Sequence, residues 1–140
     1  MTTARKDLSE TALRRWERAV RARGAEDAAQ EALDDQSVLD RYGWHEPRGR
    51  VLEILKGVEE IRRWLRLTPA EVNMAAQGEL VVFEDGWAEV RYTVQLVDYE
   101  NGGLWRFLPS DDGKIRHIEH RPDPLPLEWR KGIPPGKRLS

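Results

Sequence analysis

Cysteine is absent from this chain of 140 residues. Without a thiol there is no disulfide, no thiolate metal site and no cysteine nucleophile. The sequence also has no apolar run long enough to cross a bilayer, and no signal-peptide core near its start. From these absences we expect a cytoplasmic protein with no membrane partner.

An excess of charge of one sign is lacking too. The formal net charge at pH 7 is -2, although 34% of the residues are charged. This balance argues against a nucleic acid as partner, because nucleic-acid binding needs a basic surface. With 39% hydrophobic residues and six Trp, the chain has enough apolar material for one core. We expect one domain at 1–123 and a proline-rich tail at 124–140 that docks in part.

The first half of the chain shows helical periodicity. Apolar residues recur at spacings of three and four between Leu8 and Val20, which predicts an amphipathic helix. We expect Asp7 and Glu10 to cap this helix and Gly24 to end it. The other elements predicted in this half are a helix at 26–33, strands at 37–42 and 51–55, and a helix that begins at Gly57.

The second half has the pattern of a β-meander. Three turn signals separate runs in which apolar and polar residues largely alternate. The signals are Asp85-Gly86, Asn101-Gly102-Gly103 and Asp112-Gly113, and the predicted strands are 79–84, 87–98, 104–108 and 114–121. Residues 69–77 fit either a helix start or a strand that leads into the meander, and we favour the strand.

Helices followed by a meander indicate an α+β layout. Four phrases of the sequence, in order, resemble the SnoaL-like family of the nuclear-transport-factor-2-like superfamily. They are Arg-Gly-Ala-Glu-Asp at 23–27, Trp-His-Glu-Pro at 44–47, Gly-Val-Glu-Glu-Ile at 57–61, and Leu-Trp-Arg-Phe at 104–107 followed by Asp-Gly-Lys-Ile at 112–115. The resemblance spans roughly 8–123. It implies helices packed on a strongly curved antiparallel sheet that forms a cone, also called a cystatin-like fold.

The resemblance implies a pocket rather than one reaction, because the family includes ketosteroid isomerases, epoxide hydrolases, polyketide cyclases and proteins without an established activity. Glu46, next to a proline, matches the position of the isomerase base. Glu89, Arg91 and His120 match the charged set of the hydrolases, and His120 also matches an acid of the cyclases. None of the three catalytic sets is intact in this sequence.

The alternation of side chains along a strand leaves the orientation of two of these residues open. Glu89 and Arg91 share one face, while the alternate residues between 88 and 96 are uncharged and lie on the other. A surface ion pair is one interpretation, whereas the family resemblance places both residues inside the cone. His117 and His120 lie on opposite faces of one strand, so we expect no metal site there.

Three functions remain open: an enzyme with a small-molecule pocket, a non-catalytic ligand binder, and a dimeric interaction module. For the enzyme we expect an isomerase, cyclase or hydratase that acts on an apolar carbonyl compound. In this hypothesis Glu46 removes a proton from a carbon acid, Arg91 stabilises the oxyanion, and His120 returns the proton.

Aromatic side chains could wall such a pocket, although the same residues would also suit a plain core. The residues predicted to contact the ligand are Trp16, Trp44, Trp64, Glu89, Trp105, Phe107 and Ile118. We predict a small apolar or aromatic ligand, no cofactor, and a homodimer formed through the sheet face.

Overall fold

A computed structural model of the chain describes residues 2–43, 51–68, 72–96 and 99–123. The helices are α1 (Thr2–Arg21), α2 (Glu26–Ala32) and α3 (Val58–Arg66). The strands are β1 (Val38–Tyr42), β2 (Val51–Lys56), β3 (Asn73–Val82), β4 (Ala88–Leu96), β5 (Tyr99–Pro109) and β6 (Ile115–Pro122). None of the helices in these ranges has the length and apolar character needed to cross a membrane.

The six strands form one sheet in the order β2-β1-β6-β5-β4-β3. Strands β3 to β6 pair in sequence and antiparallel, so the predicted meander is confirmed. Strand β1 then pairs with β6 in parallel and with β2 antiparallel. Helices on one face of a mostly antiparallel sheet confirm the expected α+β class.

A break in register bends the sheet near its β3 edge. Gln77 pairs with Arg91 and Val81 pairs with Glu89, so four steps along β3 oppose two steps along β4. Gly78 lies within the extra residues and has a φ of 93°. Extra residues of this kind bend a strand and increase its twist. The bent sheet encloses the three helices on its concave face.

The core lies between the helices and the concave face. Trp16 of α1 meets Trp105 of β5 edge to face, with ring centroids 6.0 Å apart. The largest fully buried apolar side chains are those of Trp16, Trp105, Tyr92, Phe107, Leu33, Leu39, Ile61, Leu65, Ile115 and Ile118. The hydroxyl of Ser37, also fully buried, donates to the carbonyl of Ile115 at 2.6 Å. Its hydrogen-bonding capacity is therefore satisfied within the core.

Several local predictions are confirmed. Gly24, with a φ of 75°, follows α1, and Gly57, with a φ of 85°, precedes α3. Gly86 and Gly113 take positive φ in the turns before β4 and β6. These conformations favour glycine because it has no Cβ. The ambiguous segment at 69–77 is a strand from Asn73 onward, within the described residues.

The predicted N-terminal cap of α1 is wrong. The helix begins at Thr2, so Asp7 and Glu10 lie inside it. Residues 4–6 are good helix formers, and extending the helix through them costs little free energy. In addition, Arg5 donates to the carbonyl of Glu84, which ties this first turn to the end of the β3–β4 hairpin.

The turn predicted at Asn-Gly-Gly is also wrong. Residues 101–103 lie inside β5 and pair with β4, and Gly103 stands opposite Tyr92. A Cβ on Gly103 would lie 2.5 Å from Cζ of Tyr92 and 2.6 Å from the carbonyl oxygen of Arg121. Residue 103 is a glycine because the tyrosine ring occupies the space that a Cβ would need. The cause is a contact between neighbouring strands and not the geometry of a turn.

Candidate ligand-binding site

A cavity of about 370 Å³ opens on the concave face, between α3 and the strands β1, β3, β4, β5 and β6. This volume lies in the range of small-molecule pockets. Its described lining consists of Arg41, Tyr42, Trp64, Leu67, Thr68, Val72, Met74, Tyr92, Val94, Asn101, Gly102, His120 and Pro122. Six of these thirteen residues are polar, and the other seven are apolar.

Three aromatic side chains form a hydrogen-bonded chain at the cavity wall. The indole Nε1–H of Trp105 donates to Nδ1 of His120 at 3.1 Å. Nε2 of the same ring lies 3.2 Å from the hydroxyl of Tyr92. An indole nitrogen donates only, so Nδ1 must accept, and the neutral imidazole carries its proton on Nε2. Nε2–H therefore donates to the Tyr92 oxygen.

The strand register brings these three residues together. Trp105 stands directly opposite His120 across β5 and β6, and Tyr92 lies on the next strand, facing Gly103. The tyrosine ring stacks on Trp105 at 4.7 Å and on His120 at 5.0 Å between centroids. Trp64 of α3 closes over His120 from the helix side, edge on, at 5.0 Å. The imidazole is thus held by rings on three sides.

Burial first, and then the nearby positive charge of Arg41, lower the pKa of His120 from 6.5 to about 3. The hydrogen bonds agree with this direction. A protonated ring would carry a hydrogen on Nδ1, where it would oppose the N–H of Trp105. His120 is therefore a neutral hydrogen-bonding group at physiological pH, and its orientation is set by Trp105.

One cation borders the cavity within the described residues. Arg41 on β1 is paired in register with His120 on β6, so both side chains lie on the concave face. Its Nη1 donates to Oε1 of Glu53, on β2, at 2.6 Å. The side chains of Arg41 and Glu53 keep 33% and 48% of their surface exposed, so this ion pair is partly solvated.

The convex face of the sheet has a different character. Arg106 bridges Glu89 at 3.4 Å and Glu119 at 3.6 Å. Arg121 donates to Glu119 at 2.7 Å, and its guanidinium lies 3.9 Å from the ring centre of Tyr42. This face is a network of ion pairs. Across the described ranges, no group of three or more His, Asp and Glu side chains is arranged to hold a metal ion.

Comparison with solved structures gives the fold a name. A nuclear-transport-factor-2-like protein of unknown function from Burkholderia xenovorans superposes with a TM-score of 0.63 at 16% identity, covering 97% of this chain and 98% of that one. A steroid delta-isomerase from Pseudomonas aeruginosa gives 0.60 at 15% identity, covering 89% and 84%. An epoxide hydrolase from M. tuberculosis, of the type called LEH-like, gives 0.54 at 20% identity, covering 82% and 84%.

The chain has the nuclear-transport-factor-2-like fold. The fold implied by the sequence resemblance is thereby confirmed. No protein-family model and no curated protein sequence matches the chain. Because the isomerase and the hydrolase share this fold at low identity, the fold alone does not choose between their reactions.

Within the nuclear-transport-factor-2-like fold, the expected placement of Glu89 and Arg91 inside the cone is wrong. Both residues lie on the convex face, because the alternate residues Ala88, Val90 and Tyr92 are the buried ones. Arg91 forms an ion pair with Asp123, and more than half of its side chain is exposed. The other interpretation, a surface ion pair, is correct about the face, but Glu89 pairs with Arg106 and Arg91 with Asp123. Arg91 and His120 consequently do not face a common cavity.

The other predicted site residues have varied positions. Trp64 and His120 border the cavity. Trp16, Phe107 and Ile118 are core residues that do not line it, and Trp105 reaches it only through His120. Trp44 and Glu46 lie outside the described residues, as does the tail at 124–140. Contact between any of these residues and a ligand stays a prediction.

Sequence reasoning did not single out Arg41 or Tyr92 as site residues. For Tyr92 a signal existed, since it alternates with Ala88 and Val90 on what is now the buried face. For Arg41 there was none, because its position beside His120 depends on the parallel pairing of β1 with β6. That pairing joins segments far apart in the chain, and no local pattern encodes it.

Proposed function

We propose that this protein binds a small, mostly apolar molecule in the concave cavity, and that His120 and Tyr92, which Trp105 joins in a neutral hydrogen-bonded chain, form part of the polar wall. That hydrogen-bonded chain is the single observation on which the proposal rests. Burying an imidazole costs free energy unless both nitrogens are satisfied, and here both are. Apolar side chains would pack this wall without any buried polar group that needs a hydrogen-bond partner.

The rest of the lining supports an apolar ligand. The apolar part of the lining includes Trp64 of α3, Leu67 just after that helix, Met74 of β3 and Val94 of β4. Such walls recognise ring systems and hydrocarbon skeletons, while a few polar groups set their orientation. The polar groups here are the hydroxyls of Tyr92 and Thr68, the amide of Asn101, the imidazole and one guanidinium. The hydroxyl of Tyr42, also in the lining, accepts a hydrogen bond from Arg121 of the convex face.

Acid–base catalysis in the form expected from the sequence is not part of the proposal. Arg91 lies on the other face, and a histidine with a pKa of about 3 does not return a proton at neutral pH. None of the carboxylates in the described ranges lines the cavity. An isomerase, cyclase or hydratase would therefore need a base from outside the described ranges. Glu46 is the residue predicted for that role from the sequence.

Binding can be tested with a neutral fluorescent probe, N-phenyl-1-naphthylamine. We expect saturable binding of one probe per chain, with stoichiometry checked by native mass spectrometry. Replacing Val94 with Trp fills the cavity from β4, and should weaken binding by about tenfold or more. Gln95→Trp is the matched control, because Gln95 is exposed on the opposite face of the same strand.

The control should bind the probe as the parent protein does. Absence of saturable binding by the parent protein would refute the proposal, as would a Val94→Trp variant that binds the probe equally well. Circular dichroism and unfolding by urea would establish that both variants are folded.

A further inference from the structure

Arg41 is the one charged side chain in the described lining of the cavity. Its partner Glu53 does not line that cavity. Instead, Glu53 borders a smaller cleft of about 260 Å³ between β2 and α3, together with Glu60 and Arg63. Arg41, Trp64 and Leu67 border both spaces. The guanidinium therefore stands between the acids of the cleft and the largely apolar cavity.

The contact with Glu53 uses only part of the binding capacity of Arg41. A guanidinium has five N–H donors in a planar fork, and Glu53 engages Nη1 with one oxygen. An ion pair with this exposure contributes little to stability, so it holds the guanidinium weakly against competitors. A carboxylate that enters from the cavity would meet a charged donor in a less solvated setting, where such a hydrogen bond is stronger.

The positive charge of Arg41 also acts electrostatically on a group in the cavity wall. It contributes to the lowered pKa of His120, and none of the acidic groups in the described part of the chain acts there in the opposite direction. With His120 neutral, the described lining carries a net positive charge. A negatively charged ligand is the complement of such a lining.

We propose that the ligand is an organic carboxylate whose apolar body fills the cavity and whose carboxylate binds Arg41, in competition with Glu53. The inference rests on the proposed function, since it needs the cavity to bind a ligand at all. A carboxylate fits better than a phosphate, because one guanidinium matches one carboxylate in a two-pronged contact, whereas a phosphate dianion calls for more cations than this lining provides.

The experiment compares 2-naphthoate with 2-naphthamide, which share a ring system and differ in charge. At pH 7 the acid is ionised, and we expect the parent protein to bind naphthoate about tenfold more tightly than the amide. In Arg41→Gln this preference should disappear while the affinity for the amide is retained. In Glu53→Gln the affinity for naphthoate should increase, because its competitor is gone.

Arg91→Gln is the matched control, since Arg91 also pairs with an acid but on the convex face. It should leave both affinities unchanged. Equal affinities of the parent protein for the two probes would overturn the inference, as would a preference that survives in Arg41→Gln or weaker naphthoate binding by Glu53→Gln. If N-phenyl-1-naphthylamine binds the parent protein and Val94→Trp blocks its binding, any of these three results refutes only the proposal that the ligand is a carboxylate. The proposed function, binding in the cavity, then still stands. If no probe binds, the proposed function fails as well.

Discussion

The two faces of the sheet use the same kinds of residue in opposite ways. Strand β6 carries two histidines three positions apart. His117 lies on the convex face, where Nε2 is 2.8 Å from a carboxylate oxygen of Asp40. His120 lies on the concave face, where both of its nitrogens are engaged by Trp105 and Tyr92 and no carboxylate of the described residues contacts it. On the convex face charged side chains lie beside side chains of opposite charge, whereas the concave face buries a neutral ring.

Tryptophan shows the same contrast. Trp105 is fully buried on the concave face and donates its indole N–H to a side chain. Trp87 is half-buried, and it lies 4.4 Å from the guanidinium of Arg106 and 5.3 Å from the ring of His117. One indole fills the core and sets the orientation of a histidine, while the other covers part of a charged network. Their removal should therefore have unequal effects.

The largest effect is expected from this pair of tryptophans. Trp105→Ala should lower the free energy of unfolding by about 3–5 kcal/mol, because it leaves a cavity and removes the donor to Nδ1 of His120. Trp87→Ala, on the convex face, should cost about 1 kcal/mol, because its ring is half-exposed. Urea unfolding followed by circular dichroism gives both values. Equal losses would show that the two faces do not differ in packing as described.

Acid should destabilise the protein through the concave-face histidine. The unfolded chain protonates His120 near pH 6.5, whereas the folded chain does so only near pH 3. Between these values the unfolded state binds more protons, so the free energy of unfolding falls as the pH falls. The expected loss is about 1 kcal/mol between roughly pH 6 and pH 5. Urea midpoints measured at these two pH values give the slope.

The two histidines provide the controls for that slope. His120→Gln should flatten it, because the group that titrates in the unfolded state but not in the folded one has been removed. His117→Gln should leave the contribution of His120 in place. A slope that is unchanged in His120→Gln would contradict the described environment of this ring.

The smallest effect is expected from an ion pair on the convex face. Arg91→Gln breaks the contact with Asp123, and the side chains of both residues are substantially exposed. Solvent screens such pairs, so the loss should be below about 1 kcal/mol. The same urea measurement at low and high salt would check this. A loss of several kcal/mol, insensitive to salt, would mean that Arg91 has a buried role.

Much of the architecture could be predicted from local signals. Glycines at positive φ, such as Gly57 and Gly86, mark an element boundary and a turn that the structure confirms. The alternation along β4 correctly separated its residues into two faces. The alternation does not tell which face is concave, since a charged face can also line a pocket. The family resemblance places Glu89 and Arg91 on the concave face, and the structure has them on the convex one.

The sequence by itself determined the α+β class, the order of the elements and the meander, because helical periodicity, strand alternation and turn glycines act over a few residues. Tertiary structure alone decided the site. The parallel pairing of β1 with β6 brings Arg41 beside His120, and the space above Gly103 receives the ring of Tyr92. Both depend on contacts between segments distant in the chain, where the identity of a residue does not reveal its neighbour.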